Sequence, residues 1–235
     1  MLNNLIIELR NASNPAQAKQ LSRFFKTGKG DYGEGDAFLG IKMPAQRKIA
    51  KNYTNLPLND VQILLNAKIH EYRMTGLIIL VDKYKSAKKD SLEKRKLFEF
   101  YMKNTPNINN WDLVDATCPH IVGDFLSKEG TEFLKTLAKS DSLWERRIAI
   151  ISTMGLIKKR NFGDALAISD ILINDKHDLI HKAVGWTLRE IGKKNMEVLE
   201  LFLKPRYKQM PRTMLRYAIE KFPEDKRKNY LKGEI

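Results

Sequence analysis

Two tryptophans, one aspartate and two arginines stand at spacings that could do chemistry. In Trp111-Asp-Leu-Val-Asp115 the first and last residues are four apart, so on a helix they share one face while Leu113 and Val114 turn inward. A carboxylate held beside an indole wall makes a partly dry pocket with one negative charge, which suits a cation. The same spacing also fits a core tryptophan followed by a surface or capping aspartate, and spacing alone favours that reading. Trp186 and Arg189, three apart, again share a face, and Gly185 beside them lacks the side chain that would keep another backbone away. Arg147 is expected close to that face, with Trp144 three residues before it. Each arginine could hold an anion or pair with an acid on a neighbouring helix.

One loop imitates chemistry. Gly28-Lys-Gly30-Asp-Tyr-Gly33-Glu-Gly35 satisfies G-x-G-x-x-G by its letters, but a dinucleotide fingerprint needs a strand before it and a helix N-terminus directly after it. A helix precedes it here, and Asp31, Glu34 and Asp36 would repel a pyrophosphate. The expectation is a compact surface loop packed by Tyr32, Phe38 and Leu39.

These residues must be positioned by helices. Asn14-Pro15 predicts a cap with proline at the first helical position and a helix to about Phe25, and Met43-Pro44 opens another to about Tyr53. Periodicity predicts further helices over about 70–84, 91–102, 111–120, 142–158, 179–194, 211–221 and 223–231, and no alternating run offers a strand. The helices repeat: Asp141 to Gly155 lies over Asp178 to Gly192 at an offset of 37 residues, and two such steps back from Arg147 reach Arg73 in Ile69-His-Glu-Tyr-Arg73. A two-helix unit of this length predicts an all-α solenoid of HEAT-like repeats, a single domain over 1–235, curved and with a basic concave face. Basic tracts, Lys158-Lys159-Arg160 and Lys193-Lys194, follow the two glycines, where helix carbonyl ends favour cations.

Charge supports an anionic partner. Lys plus Arg number 42 against 28 acids, a formal charge of +14 in 235 residues, which points to nucleic acid or an anionic membrane surface. Cys118 is the one cysteine, and the four histidines are not at zinc-ligand spacing, so neither a disulfide framework nor a metal or other cofactor is expected. The apolar run Leu5-Ile6-Ile7, ended by Glu8, is too short for a signal peptide or membrane span, so a cytoplasmic protein is expected.

Asn110-Trp-Asp-Leu-Val-Asp115, Leu143-Trp-Glu-Arg-Arg147 and Lys182-Ala-Val-Gly-Trp-Thr-Leu-Arg189-Glu190 resemble the signature segments of the AlkD-like DNA alkylation repair glycosylases. Phe24-Phe-Lys-Thr-Gly, Gly33-Glu-Gly-Asp, Phe38-Leu-Gly-Ile41 and Met210-Pro-Arg-Thr with Arg216-Tyr217 extend the likeness, in order, over most of the chain. The resemblance implies a solenoid that grips duplex DNA and excises N3- or N7-alkylated purines. No lysine stands beside these motifs as an evident Schiff-base nucleophile, so a hydrolase without strand cleavage is expected, and a monomer. The resemblance implies Asp115 as the catalytic carboxylate, with Trp111 and Trp186 against the lesion's deoxyribose. Arg147 and Arg189 would hold phosphates, and Lys158, Lys159, Arg160, Lys193, Lys194, Arg212 and Arg216 are further expected DNA contacts. A non-catalytic helical scaffold or nucleic-acid-binding protein is the competing expectation.

Overall fold

The structure is a computed structural model describing residues 1–235. Apart from one isolated parallel bridge between Ala37 and Ile69, its regular structure is helical. No helix is long and apolar enough to cross a membrane. The chain divides into two compact units, Met1–Ile121 and Val122–Ile235.

The first unit contains α1 (Leu2–Asn11), α2 (Pro15–Phe24), α3 (Met43–Lys51), α4 (Leu58–Leu65), α5 (His70–Ser86), α6 (Ser91–Lys103) and α7 (Trp111–Cys118). The Asn14 side chain accepts from the Gln17 amide and starts α2 as its sequence predicts. Asp90 does the same for α6 through Glu93. Helix α5 is the centre: it packs on α3, α4, α6 and α7 and buries residues all round, from Tyr72 to Tyr84. Two helices of this unit were not expected from the sequence. Helix α4 has an inward stripe of Val61, Leu64 and Leu65 but only eight residues, and α1 buries just Leu5 and Leu9.

The loop from 28 to 41 is tied down rather than loose. Gly30 and Gly35 have φ of 81° and 87°, and Phe38 stacks on Phe25 and on the His70 ring, at centroid distances of 5.3 and 4.8 Å. Asp36 is not the surface acid that the sequence suggested. Its side chain is 3% exposed and pairs with Arg73 at 2.7 Å and His70 at 3.2 Å. Glu71, 1% exposed, accepts from the amides of Leu39, Gly40 and Ile41 at 2.9, 2.7 and 3.2 Å. Gly40 has φ of 84°, and a Cβ there would lie 2.1 Å from the Asn14 carbonyl oxygen, so no other residue fits.

A π-turn, Pro119–Gly123, leads into the second unit. There follow α8 (Asp124–Glu129), α9 (Glu132–Ala138), α10 (Leu143–Ser152), α11 (Met154–Lys158), α12 (Gly163–Ile171), α13 (Asp178–Lys194), α14 (Met196–Leu203), α15 (Arg212–Ala218) and α16 (Glu224–Lys232). The single helix expected over 142–158 is two, because the Thr153 hydroxyl donates to the Ile150 carbonyl at 2.7 Å and turns the chain there. Helices α8, α9, α12 and α14 were not expected.

The repeat is real, but its register differs from the sequence overlay. The fourth residue of α5, α10 and α13 reaches the carbonyl six positions back: Arg73 to Ala67 and Arg146 to Ser140, both at 2.9 Å, and His181 to Asp175. Arg73 and Arg146 also each hold a buried aspartate, Asp36 and Asp175. Arg146 rather than Arg147 is therefore the counterpart of Arg73, and 35 residues rather than 37 separate the starts of α10 and α13. Amphipathic stripes match nearly as well at neighbouring offsets, so letters alone misplaced the overlay.

Candidate nucleic-acid interface

Helix α7 begins where Asn110, fully buried and extended at φ −149°, accepts from the Trp111 amide through its side chain at 2.8 Å. That start fixes the face of every later residue. Leu113 and Val114 are fully buried, while Trp111 and Asp115 stay half-buried one turn apart, as the spacing predicted. The inner side is locked by Thr117, which bonds the buried Tyr101 hydroxyl at 2.9 Å and the Leu113 carbonyl. Burial pushes the Tyr101 phenol well up, and the nearby Cys118 and Asp115 add to the rise, so Asp115 projects its field into this pair.

The outer wall is aromatic. The Trp111 ring lies 5.4 Å from Phe25 and 5.9 Å, edge-on, from Phe24. Phe24 is 62% exposed although it belongs to this cluster. Under the wall sits His70, 3% exposed, whose Nε2 meets Asp112 at 2.9 Å and whose Nδ1 meets Asp36 at 3.2 Å. Burial alone would lower the His70 pKa, but hydrogen bonds to Asp112 and Asp36 overcome it and raise the value to about 9. For Asp36, burial works upward and is outweighed by His70 and Arg73, so its pKa is lowered. This charged group was missed in the sequence. The signal was there, in a His-Glu-Tyr-Arg run opening an otherwise apolar helix.

In the second unit, α13 carries Trp186, whose Nε1 donates to Glu190 at 3.2 Å. Glu190 also accepts from Lys193 at 2.7 Å and lies 3.7 Å from Arg189 Nε. Arg189 is 19% exposed in its side chain and donates to Glu220. Lys221 and Arg189 together hold the Glu220 carboxyl below the usual carboxylate range. Gly185 does what its size suggested: a Cβ there would lie 2.5 Å from both the Met214 carbonyl oxygen and the Tyr217 Cβ, so α15 packs directly on α13.

Arg147 is not where a surface phosphate ligand would be. It is 5% exposed, and its Nη1 donates to the Leu179 carbonyl at 2.5 Å, bracing α10 against the start of α13. The reason is the register described above: Arg146 and Arg147 both turn toward α13 or the turn before it, not outward. Lys158, Lys159 and Arg160 are exposed at the end of α11, as are Lys193 and Lys194 at the end of α13. Arg212 and Arg216 are exposed on α15, with Arg212 bonded to the Leu231 carbonyl.

Two solved structures share the fold. A protein from Enterococcus faecalis described as a predicted DNA alkylation repair enzyme superposes with a TM-score of 0.70 at 19% identity, over 90% of this chain and 97% of the other. The crystal structure of AlkD2 from Streptococcus mutans gives a TM-score of 0.58 at 18% identity, over 88% and 99%. No curated protein matches the sequence. The sequence profile described as DNA alkylation repair enzyme matches residues 5–222, nearly the whole chain, and the chain belongs to that family.

Proposed function

We propose that this protein is a monofunctional alkylpurine DNA glycosylase that hydrolyses the N-glycosidic bond of cationic N3- or N7-alkylated purines in duplex DNA. The observation that carries the reading is the pairing of Trp111 and Asp115 on the solvent side of α7, with the carboxylate one turn from an indole and backed by a fully buried helix face. An N7-alkylguanine or N3-alkyladenine already bears positive charge, so it leaves as a neutral base without a proton from the protein. As the bond lengthens, the charge passes to the sugar as an oxocarbenium ion. Asp115 stabilises that charge more than it stabilises the ground state and orients the water that adds to the anomeric carbon. Trp111 offers its face to the same charge, worth roughly 0.5–2 kcal/mol when desolvated. Trp186 is assigned to the deoxyribose on its motif alone.

Phosphate contacts fall to the exposed cations Lys158, Lys159, Arg160, Lys193, Lys194, Arg212 and Arg216, with Arg189 exchanging Glu220 for a phosphate. The Glu220 side chain is 42% exposed, so water can take over the carboxylate when a phosphate takes the arginine.

The test is Asp115→Asn, which should slow 7-methylguanine release by on the order of 10²–10³ with DNA affinity nearly unchanged. Equal release would remove Asp115 from the chemistry. Arg147 and Arg189 are both engaged by protein groups, and the competing reading is a helical scaffold or nucleic-acid-binding protein without chemistry. Binding to methylated duplex with no base released by the wild-type protein would select it.

A further inference from the structure

His70 has a carboxylate at each ring nitrogen. Asp36 and Asp112 offer only acceptors to Nδ1 and Nε2, so the geometry calls for a doubly protonated imidazolium, a buried cation between two acids from different elements. Arg73 balances the second charge through Asp36. The ring also joins an aromatic cluster, with centroid distances of 4.8 Å to Phe38 and 5.1 Å to Phe25, which touch each other at 5.3 Å. The groups held by this bridge are the second residue of α7, Asp112, and through Phe25 the first, Trp111. Asp115 follows on the next turn of the same short helix.

We propose that the Asp36–His70–Asp112 bridge positions Trp111 and Asp115 by fixing the first turn of α7 against α5 and the loop that carries Phe38. His70 touches no reacting atom, and its part in excision rests on the glycosylase reading above. The charged groups around it are Asp36 on the loop, Asp112 on α7, and Arg73 and Glu71 on its own helix, while α2 contributes through its C-terminal neighbour only the uncharged ring of Phe25. An α7 freed at its start can rotate about its axis on the Leu113 and Val114 side. A displacement of about 1 Å at a reacting centre is enough to cost on the order of 10²-fold in rate.

The experiment has two arms on the full-length protein, using His70→Phe, which keeps an aromatic ring but no bridge, and Asp112→Asn, which retains shape and weakens the ion pair. In the first arm the tryptophans are replaced by 5-fluorotryptophan, and the Trp111 fluorine resonance is identified by its loss in Trp111→Phe. Both variants should move that resonance at pH 7 and leave the other two, from Trp144 and Trp186, in place. In the second arm, single-turnover release of 7-methylguanine should fall by roughly 10–100-fold with DNA Kd within about two-fold of wild type. If His70→Phe does not fold, Asp112→Asn carries both arms. An unmoved Trp111 resonance, or full release with a moved one, overturns the proposal. Wild-type protein that releases no base overturns the glycosylase reading instead, and the fluorine arm then decides the bridge alone.

Discussion

Two glycines at helical positions should respond to alanine with opposite signs. At Gly185 an added Cβ meets the Met214 carbonyl oxygen and the Tyr217 Cβ, both at 2.5 Å. Normal contact needs nearly 1 Å more, and neither atom lies at the end of a flexible side chain, so α15 must retreat from α13. Overpacking of this kind costs about 1–3 kcal/mol, here at the upper end, against a helix-propensity gain of about 1 kcal/mol for alanine over glycine. The net is a loss of about 2 kcal/mol, or about 4–8 °C in Tm for a chain of this size. At Gly155, on α11, nothing lies within 4 Å of the added Cβ, so only the propensity gain remains, about 0.5–1 kcal/mol and a rise of about 1–4 °C. Parallel calorimetric scans of both variants measure the difference. A Gly185→Ala protein as stable as wild type or more so would refute the claim that α13 and α15 meet without room for a side chain.

Arg147→Ala should lower stability by about 1–3 kcal/mol, because the Leu179 carbonyl loses its donor. It should leave the salt dependence of DNA binding unchanged, whereas Lys159→Ala should reduce that slope by about 0.9; a reduced slope for Arg147→Ala would return it to the phosphates. His70 contributes a pH dependence with a definite sign. Its folded pKa of about 9 lies above the ordinary 6.5, so its stabilisation is complete below about pH 6.5 and is lost as pH rises through 9. The rise corresponds to about 3 kcal/mol, and denaturant titrations at pH 6.5 and 10 should show a loss of that order, absent in His70→Phe. An equal loss in that variant would place the alkaline sensitivity elsewhere.

Several helices whose ends carry side-chain caps were readable to within a few residues, as at Asn14, Asp90 and Asn110. So was the α7 face, since Leu113 and Val114 between Trp111 and Asp115 leave one way to bury the helix. What sequence could not give was partner choice. Asp36 sits among glycines and reads as a loop acid, yet it faces inward, because Arg73 and His70 come from a segment more than thirty residues away. Arg146 and Arg147 are adjacent in the chain and interchangeable in a periodicity argument. Only the turn before each helix, whose carbonyls receive one guanidinium and not the other, separates them.

The Glu71 carboxylate, held by three consecutive amides of residues 39–41, also sets an order of events during synthesis. The strap of residues 39–41 emerges about thirty residues before its acceptor, and Asp36 likewise precedes its partners His70 and Arg73. Until the start of α5 has been made, the strap's amides have no acceptor but water, and α2 with its Phe24-Phe25 end has nothing to close against. The native contacts of residues 36–41 therefore cannot be completed before α5 has been made.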